Sequence, residues 1–334
     1  MPEHVTHLVI DEHPPVARDP ARPRRRPFEP AIGVQHELIS RVSVSTNYYR
    51  RSFHRLRVTD NLLRTMASYR PYDLFHPITG DPFQVFDVTP AAARLVENFD
   101  TNSDDRSHIY HGVDLTISGR LPRGAMLFGG LVTEKNLRNI CDEPDDPNVL
   151  LYCDDAANDI PWRPTFKLSG SVPLPGGITL SGTWQDLAGR PLGLTTTAGN
   201  KISGPGYGDT GSPVGTNWQI TNTGRYPADC PAPCPAGQLI FPAGATRLTS
   251  ASVTVPLVAP GTEFLPRLRQ LDLSLAKWFT MGRTRLQGQI DIFNVANSST
   301  VASMASTLFG TAAYGRPSSV LQGRMLRLGI QLKW

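Results

Sequence analysis

The chain has 334 residues, with 33 Lys and Arg against 29 Asp and Glu, a net charge of +4. That surplus is too small to build the clustered basic face that nucleic-acid binding requires. With 29 Gly, 30 Pro, 8% aromatic and 40% hydrophobic residues, the composition excludes a coiled coil, an ordinary helical bundle and a fully disordered chain. No run of about 18 apolar residues occurs, which rules out a transmembrane helix. A transmembrane β-barrel stays open, because alternating strands average to a modest hydropathy.

Residues 1–30 hold seven prolines and the run Arg24-Arg25-Arg26. They lack the apolar core of a signal peptide, and are expected to be a disordered or loop segment. His4, His7 and His13 lie there with nothing to fix a metal geometry, and are expected to be solvated.

From residue 31 the period is two. Val42, Val44 and Tyr48 alternate with Ser43, Ser45 and Asn47; Val113, Leu115 and Ile117 with Asp114, Thr116 and Ser118; Phe166 and Leu168 with Lys167 and Ser169. Ile178, Leu180 and Trp184 alternate with Thr179, Ser181 and Gln185; Leu271, Leu273 and Leu275 with Asp272 and Ser274; Leu286, Ile290 and Ile292 with Gln287, Gln289 and Asp291. At the end, Leu326, Leu328, Ile330, Leu332 and Trp334 face one way, and Arg327, Gln331 and Lys333 the other. This is strand periodicity. It places strands near 31–40, 42–53, 107–121, 124–135, 162–173, 178–188, 267–281, 284–297 and 318–334.

A soluble sandwich alternates too, so connection lengths decide. Tight turns at 40–41, 121–124, 174–177 and 281–284 alternate with long connections over 52–106, 136–161, 188–266 and 297–318. Compact soluble domains rarely carry several such loops, whereas outer-membrane barrels pair short periplasmic turns with long outer loops. Tyr48, Tyr49, Tyr110, Trp162, Trp278, Phe279 and Trp334 lie near strand ends, as interfacial girdles require. With nine strands the first and last run parallel and cannot close an antiparallel barrel. The expectation is an open curved sheet with an unpaired edge near 31–40, part of a larger barrel, or a missed strand, with PFQVFDV at 82–88 the first candidate.

Cys141 and Cys153, and Cys230 and Cys234, form two close pairs in Gly/Pro/Asp-rich stretches. They are read as local disulfides of an oxidising compartment; the alternative is four free thiols. Loop 136–161 carries Asp142, Glu143, Asp145, Asp146, Asp154, Asp155 and Asp159. Clustered oxygens suit calcium, but the spacing is not that of an EF-hand, and a solvated acidic loop is the expectation. Asp209-Thr-Gly-Ser212 matches the core of an aspartic-protease site, yet it sits in a Gly/Pro loop without the flanking strand or second carboxylate that such chemistry needs. His108 and His111 point to opposite faces of one strand. The expectation is a protein that is not an enzyme, with no metal and no cofactor.

RLRQLDLSLAKWFTMGRTRLQGQIDIFNVANSSTV (267–301) followed by GRPSSVLQGRMLRLGIQLKW (315–334) resembles the C-terminal end of TonB-dependent outer-membrane receptors, most closely the Oar-like branch. The matching features are Leu271-Asp-Leu-Ser-Leu-Ala-Lys277, Asp291-Ile-Phe-Asn294 with Asn297, and Gly323-Arg324 before the terminal strand. VSVSTNYYRRSF (42–53), VTDN (58–61) and YHGVDLTISGRLPRG (110–124) are similar to that branch as well. The resemblance implies a barrel of about 22 strands plugged by a separate N-terminal domain, and a TonB-contacting segment before the plug. Residues 31–334 are then about nine or ten strands of an all-β antiparallel transmembrane barrel in a Gram-negative outer membrane. Polar inward residues (Arg120, Lys167, Gln287, Gln289, Asp291 and Arg327) are expected to line the lumen. Leu328, Ile330, Leu332 and Trp334 resemble the signal read by the barrel-assembly machinery through strand pairing at an exposed edge.

The function expected is energised uptake of an unidentified ligand, incomplete in this chain alone. A structural or adhesive outer-membrane barrel without uptake is the alternative. Expected partners are outer-membrane lipid, the barrel-assembly machinery, an extracellular ligand and, through a plug not found in these residues, a TonB-type energising protein; nucleic acid is not among them.

Overall fold

The computed structural model describes residues 5–10, 28–76, 80–142, 145–191, 217–221, 225–226, 239–240, 248–306, 308–309 and 313–334. Its frame is one ten-stranded sheet in which every neighbouring pair is antiparallel. In chain order the strands are β1 Val5–Ile10, β2 Pro30–Ile39, β3 Val42–His54, β4 Ser107–Arg120 and β5 Met126–Asn139. They continue as β6 Thr165–Leu174, β7 Ile178–Leu187, β8 Leu268–Met281, β9 Thr284–Phe293 and β10 Met325–Lys333. Spatial order follows chain order. The sheet is open: among the described residues β1 pairs with β2 alone and β10 with β9 alone.

Three expectations are corrected here. The free edge is Val5–Ile10, not residues 31–40, because a strand stands within the segment expected to be disordered or loop. VTHLVI carries no proline and alternates Val5, His7, Val9 with Thr6, Leu8, Ile10, so it pairs with Pro30–Gln35 even though proline crowds the flanks. It makes the count even, and the outermost strands run opposite ways. Pro82–Val88 is indeed a strand, but it pairs with Tyr69–Phe75 in a separate small sheet. Likewise the strand expected over 318–334 divides. Pro317–Val320 pairs with Val301–Met304 above the sheet, and β10 starts at Met325.

Along one rim the turns are tight and carry the required left-handed backbone. Arg41 sits at φ 69°, Gly176 and Gly177 at 77° and 73°, and Gly282 at 62°. The Gly pair suits a tight hairpin because neither residue has a Cβ to clash. Arg41 is held there by its own amide, which donates to Glu37 Oε1 at 2.7 Å. The opposite rim carries the long connections.

The registers assign every side chain to a face, because directly opposed residues project to the same side. Thr46, Leu115, Leu131, Phe166 and Asp186 form one such row. Gly182, Leu273, Ile292 and Leu326 form another, and Leu180, Leu275, Ile290 and Leu328 a third. This face is apolar from β2 to β10 and is not covered: Ile32 is 53% exposed, Leu328 71% and Ile330 82%. The buried apolar cluster lies elsewhere. Tyr72, Val85, Ile220, Leu248, Val253, Val255 and Leu257 pack together in the long connections. A sheet that leaves its largest apolar side chains bare while its loops hold the core is the inverse of a soluble domain.

Candidate functional site

The other face of the sheet is polar. All six residues expected to line a lumen lie on it, spread over β4, β6, β9 and β10. Arg120 stands opposite Met126 near the tight-turn rim, and Lys167 opposite Gln185 at mid-sheet. Gln289, Asp291, Gln287 and Arg327 share the β8–β10 end. The structure brings three of them together. Asp291 is 4% exposed, and it accepts from Arg327 Nε at 2.8 Å and from Gln289 Nε2 at 2.8 Å. Gln289 also reaches Ser274 Oγ at 3.4 Å. The side chains of Arg120, Lys167 and Gln287 make no hydrogen bond among the described residues. They are polar groups pointing from a sheet face with no partner among the described residues.

The network continues to the long-connection rim through residues that alternation alone does not single out. Asp272 accepts from Gln270 Nε2 and from the backbone amide of Asn294 at 2.8 Å. Asn294, 2% exposed, ends β9 in the left-handed region at φ 51°. Its Nδ2 donates to the carbonyls of Ser298 and Gln322, and its Oδ1 accepts from Ser298 N. Asn297, also left-handed at φ 52°, accepts from Arg324 N at 2.9 Å. These two asparagines therefore knot the start and end of the 294–324 connection. Asparagine suits both tasks, since it tolerates positive φ and carries donor and acceptor on a short stem. Replacing Asn294 by Ala removes three hydrogen bonds and leaves buried partners unsatisfied, and should cost on the order of 3 kcal/mol. The expected readout is faster hydrogen exchange over 294–324, with β3–β5 unchanged.

The acidic loop is a scaffold rather than a solvated run. Cys141 and Cys153 are joined by a disulfide; Cys230, Cys234, Glu143 and Asp209–Ser212 lie outside the described residues. Asp142 pairs with Arg106 Nε at 3.0 Å, both side chains largely buried. Asp145 accepts from Asn61 N at 2.8 Å, and its carbonyl accepts from Tyr69 OH. Asp146 and Asp154 cap short 3-10 turns through Asn148 N and Ala156 N. Asn148 bonds both the N–H and the C=O of Phe86 at 2.8 Å, joining this loop to the Pro82–Val88 strand. Asp87, 2% exposed, accepts from Thr249 N at 2.5 Å and Ser250 N at 3.3 Å, tying that strand to the 248–267 segment. Three long connections are thereby fastened into one outer module.

Asp155 accepts from Arg138 N at 3.0 Å, and its Oδ1 lies 3.8 Å from Arg138 Nη2. Burial outweighs that neighbouring cation and raises its pKa from 3.8 to about 6. A carboxyl whose folded pKa lies above its unfolded value is easier to protonate in the folded state. Its contribution is most favourable below pH 4 and is lost as pH rises to about 6. A displacement of that size is worth about 3 kcal/mol. Cleavage of the 140–160 loop by a protease active across this range should therefore slow as pH falls from 7 to 4.5. In Asp155→Asn that dependence should flatten; an equal slope in both proteins would remove Asp155 as its source.

His108 and His111 do project to opposite faces. His108 Nε2 lies 3.3 Å from Asn136 Oδ1 on the polar face, and His111 Nδ1 lies 2.8 Å from Tyr48 OH on the apolar one.

No protein-family model matches the sequence, and no curated protein does. Among solved structures, the outer membrane transporter YddB from Escherichia coli aligns at 13% identity and TM-score 0.39, over 94% of this chain and 33% of that one. The ferric-catecholate import receptor Fiu of E. coli K12 aligns at 9% identity and TM-score 0.43, over 98% of this chain and 32% of that one. BauA, the ferric preacinetobactin receptor of Acinetobacter baumannii, aligns at 11% identity and TM-score 0.40, over 98% and 33%. The chain thus spans about a third of the length of each.

Proposed function

We propose that this chain is the C-terminal barrel segment of a TonB-dependent receptor of the Oar-like branch in a Gram-negative outer membrane, serving energised uptake of an external ligand and performing no catalysis itself. The observation that carries this reading is the two-faced sheet. An uncovered apolar face runs across adjacent strands, opposed by a polar face, with tight turns along one rim and long, mutually packed connections along the other. Lipid satisfies the first face without further protein. The polar face supplies the lumen, and Arg120, Lys167 and Gln287 are free to meet a plug or a passing solute. In this orientation the tight turns are periplasmic, and the fastened outer module meets the ligand. The alternating Leu328, Ile330, Leu332 and Trp334 present the free edge of β10 to the assembly machinery, and the remaining strands of the barrel complete the two open edges.

The test is native size together with energisation. An antibody to residues 267–334 should detect, in the outer-membrane fraction, a band far above the 36.6 kDa of this chain. Uptake of the cognate ligand should stop when the cell's TonB-type protein is deleted. A 36.6 kDa band in that fraction would replace this reading with a structural or adhesive barrel.

A further inference from the structure

On the apolar face, one row across β3–β5 breaks the pattern. Arg50 stands directly opposite His111, and His111 directly opposite Lys135. Arg50 and Lys135 are permanent cations on either side of His111, on a face otherwise made of apolar and small polar side chains, and two cations placed there ask for an anion. None is supplied among the described residues. Every residue of β3, β4 and β5 that projects to this face is uncharged or basic, and neither Arg50 nor Lys135 has a hydrogen-bond or ion-pair partner among the described residues. The contrast lies on the same rim and face. There Arg269 stands opposite Asp186, which pairs with Arg267 Nε at 2.8 Å and Arg269 Nε at 3.5 Å.

The height of the row is telling. Arg50 is eight residues beyond Val42, about 27 Å along the strand and about 20 Å above the tight-turn rim once strand tilt is allowed for. The apolar band of such barrels is about 25 Å tall, so the row lies at its upper edge. Tyr48 and Trp162 flank it as interfacial aromatics. The Tyr48 hydroxyl holds His111 Nδ1 at 2.8 Å, and the Trp162 ring stands edge-on to His111 at 6.5 Å between centroids. With Nδ1 so engaged, His111 Nε2 remains for a ligand. Arg50 and Lys135 are two strand spacings apart, about 10 Å, a gap that their long stems can close on one phosphate over His111.

We infer that Arg50, His111 and Lys135 form a binding site on the outside of the barrel for the phosphate of an anionic outer-leaflet glycolipid. The inference rests on the membrane orientation proposed above. A lipid phosphate is favoured over a soluble one because the row faces the bilayer and lies between apolar positions. Val113 stands one row below it, and Ile109 and Leu137 one row above.

The protein is extracted from outer membranes in mild detergent and placed in phosphatidylcholine nanodiscs. It is titrated with a bis-phosphorylated lipid-A-type glycolipid and with the dephosphorylated glycolipid, and occupancy is read by native mass spectrometry. The phosphorylated lipid should bind at least about tenfold more tightly. Arg50→Gln with Lys135→Gln should abolish the preference, whereas Arg50→Lys with Lys135→Arg should keep it, which separates lost charge from lost folding. Millimolar inorganic phosphate should not displace the lipid. Equal binding of the two lipids, equal preference in the Gln pair, or displacement by inorganic phosphate would each overturn the lipid site. A protein recovered from the outer membrane but indifferent to phosphate sinks this inference alone; a protein absent from that fraction sinks the proposed function with it.

Discussion

Replacing Leu275 by arginine is expected to deplete the protein from the outer membrane, whereas arginine at Gln287 is expected to be tolerated. Leu275 lies in the middle of β8, directly between Leu180 and Ile290 on the apolar face. An arginine at the bilayer midplane of such a barrel costs about 2–4 kcal/mol, a large share of a folded protein's margin. Gln287 projects to the opposite face, where a longer cation reaches water. Steady-state level in the outer-membrane fraction and retention of the folded form on unheated gels are the readouts. If both variants fell equally, the assignment of faces would be wrong.

The second large effect is expected in the outer module. Arg106 is 5% exposed, and its Nε is held by Asp142 at 3.0 Å beside the Cys141–Cys153 disulfide. Its Nη1 also donates to the carbonyl of Arg57 at 3.3 Å. Asp142→Ala takes a carboxylate partner from a buried guanidinium, and breaking such a pair on one side costs about 3–5 kcal/mol. The module should loosen: protease cleavage within 55–106 and 140–164 should accelerate by orders of magnitude, while the amount inserted in the membrane stays the same. Arg106→Met combined with Asp142→Leu should recover most of the resistance, because the penalty comes from a buried charge deprived of its Asp142 carboxylate rather than from the loss of attraction. A double variant as fragile as Asp142→Ala would show instead that the attraction itself holds the module.

How much of this was legible beforehand follows from what each pattern encodes. Alternation is a local signal, so β2–β9 and the face of each of the six polar candidates can be read from residues two apart. β1 escaped because six alternating residues are outweighed by the proline-rich flanks that follow them. Val301–Met304 was missed, and Pro317–Val320 was merged with the terminal strand, because so short a pair carries no alternating face of its own. The Asp272–Asn294 contact is a matter of register between β8 and β9, and the fastening of the outer module by Asp87, Asn148 and Asp142 spans up to 163 residues. No period in the sequence announces either. The asparagines of Asp291-Ile-Phe-Asn294 and Asn297 were visible as a motif; their left-handed backbone and their bonds to main-chain groups across the connection supply its physical reason. The Arg50–His111–Lys135 row likewise appears only when three strands are laid in register.

The most direct test of the two-faced sheet is spin labelling of single cysteines from Leu271 to Leu275 on β8 and from Gln287 to Asp291 on β9, in native outer membranes. Collision with lipid-dissolved oxygen should rise at Leu271, Leu273, Leu275, Gly288 and Ile290. Collision with a water-soluble nickel complex should rise at Asp272, Ser274, Gln287, Gln289 and Asp291, giving two opposed period-two waves. Two waves in phase, or high nickel accessibility at every position, would mean that the apolar face does not meet lipid, and the account of this chain as a membrane barrel would fail.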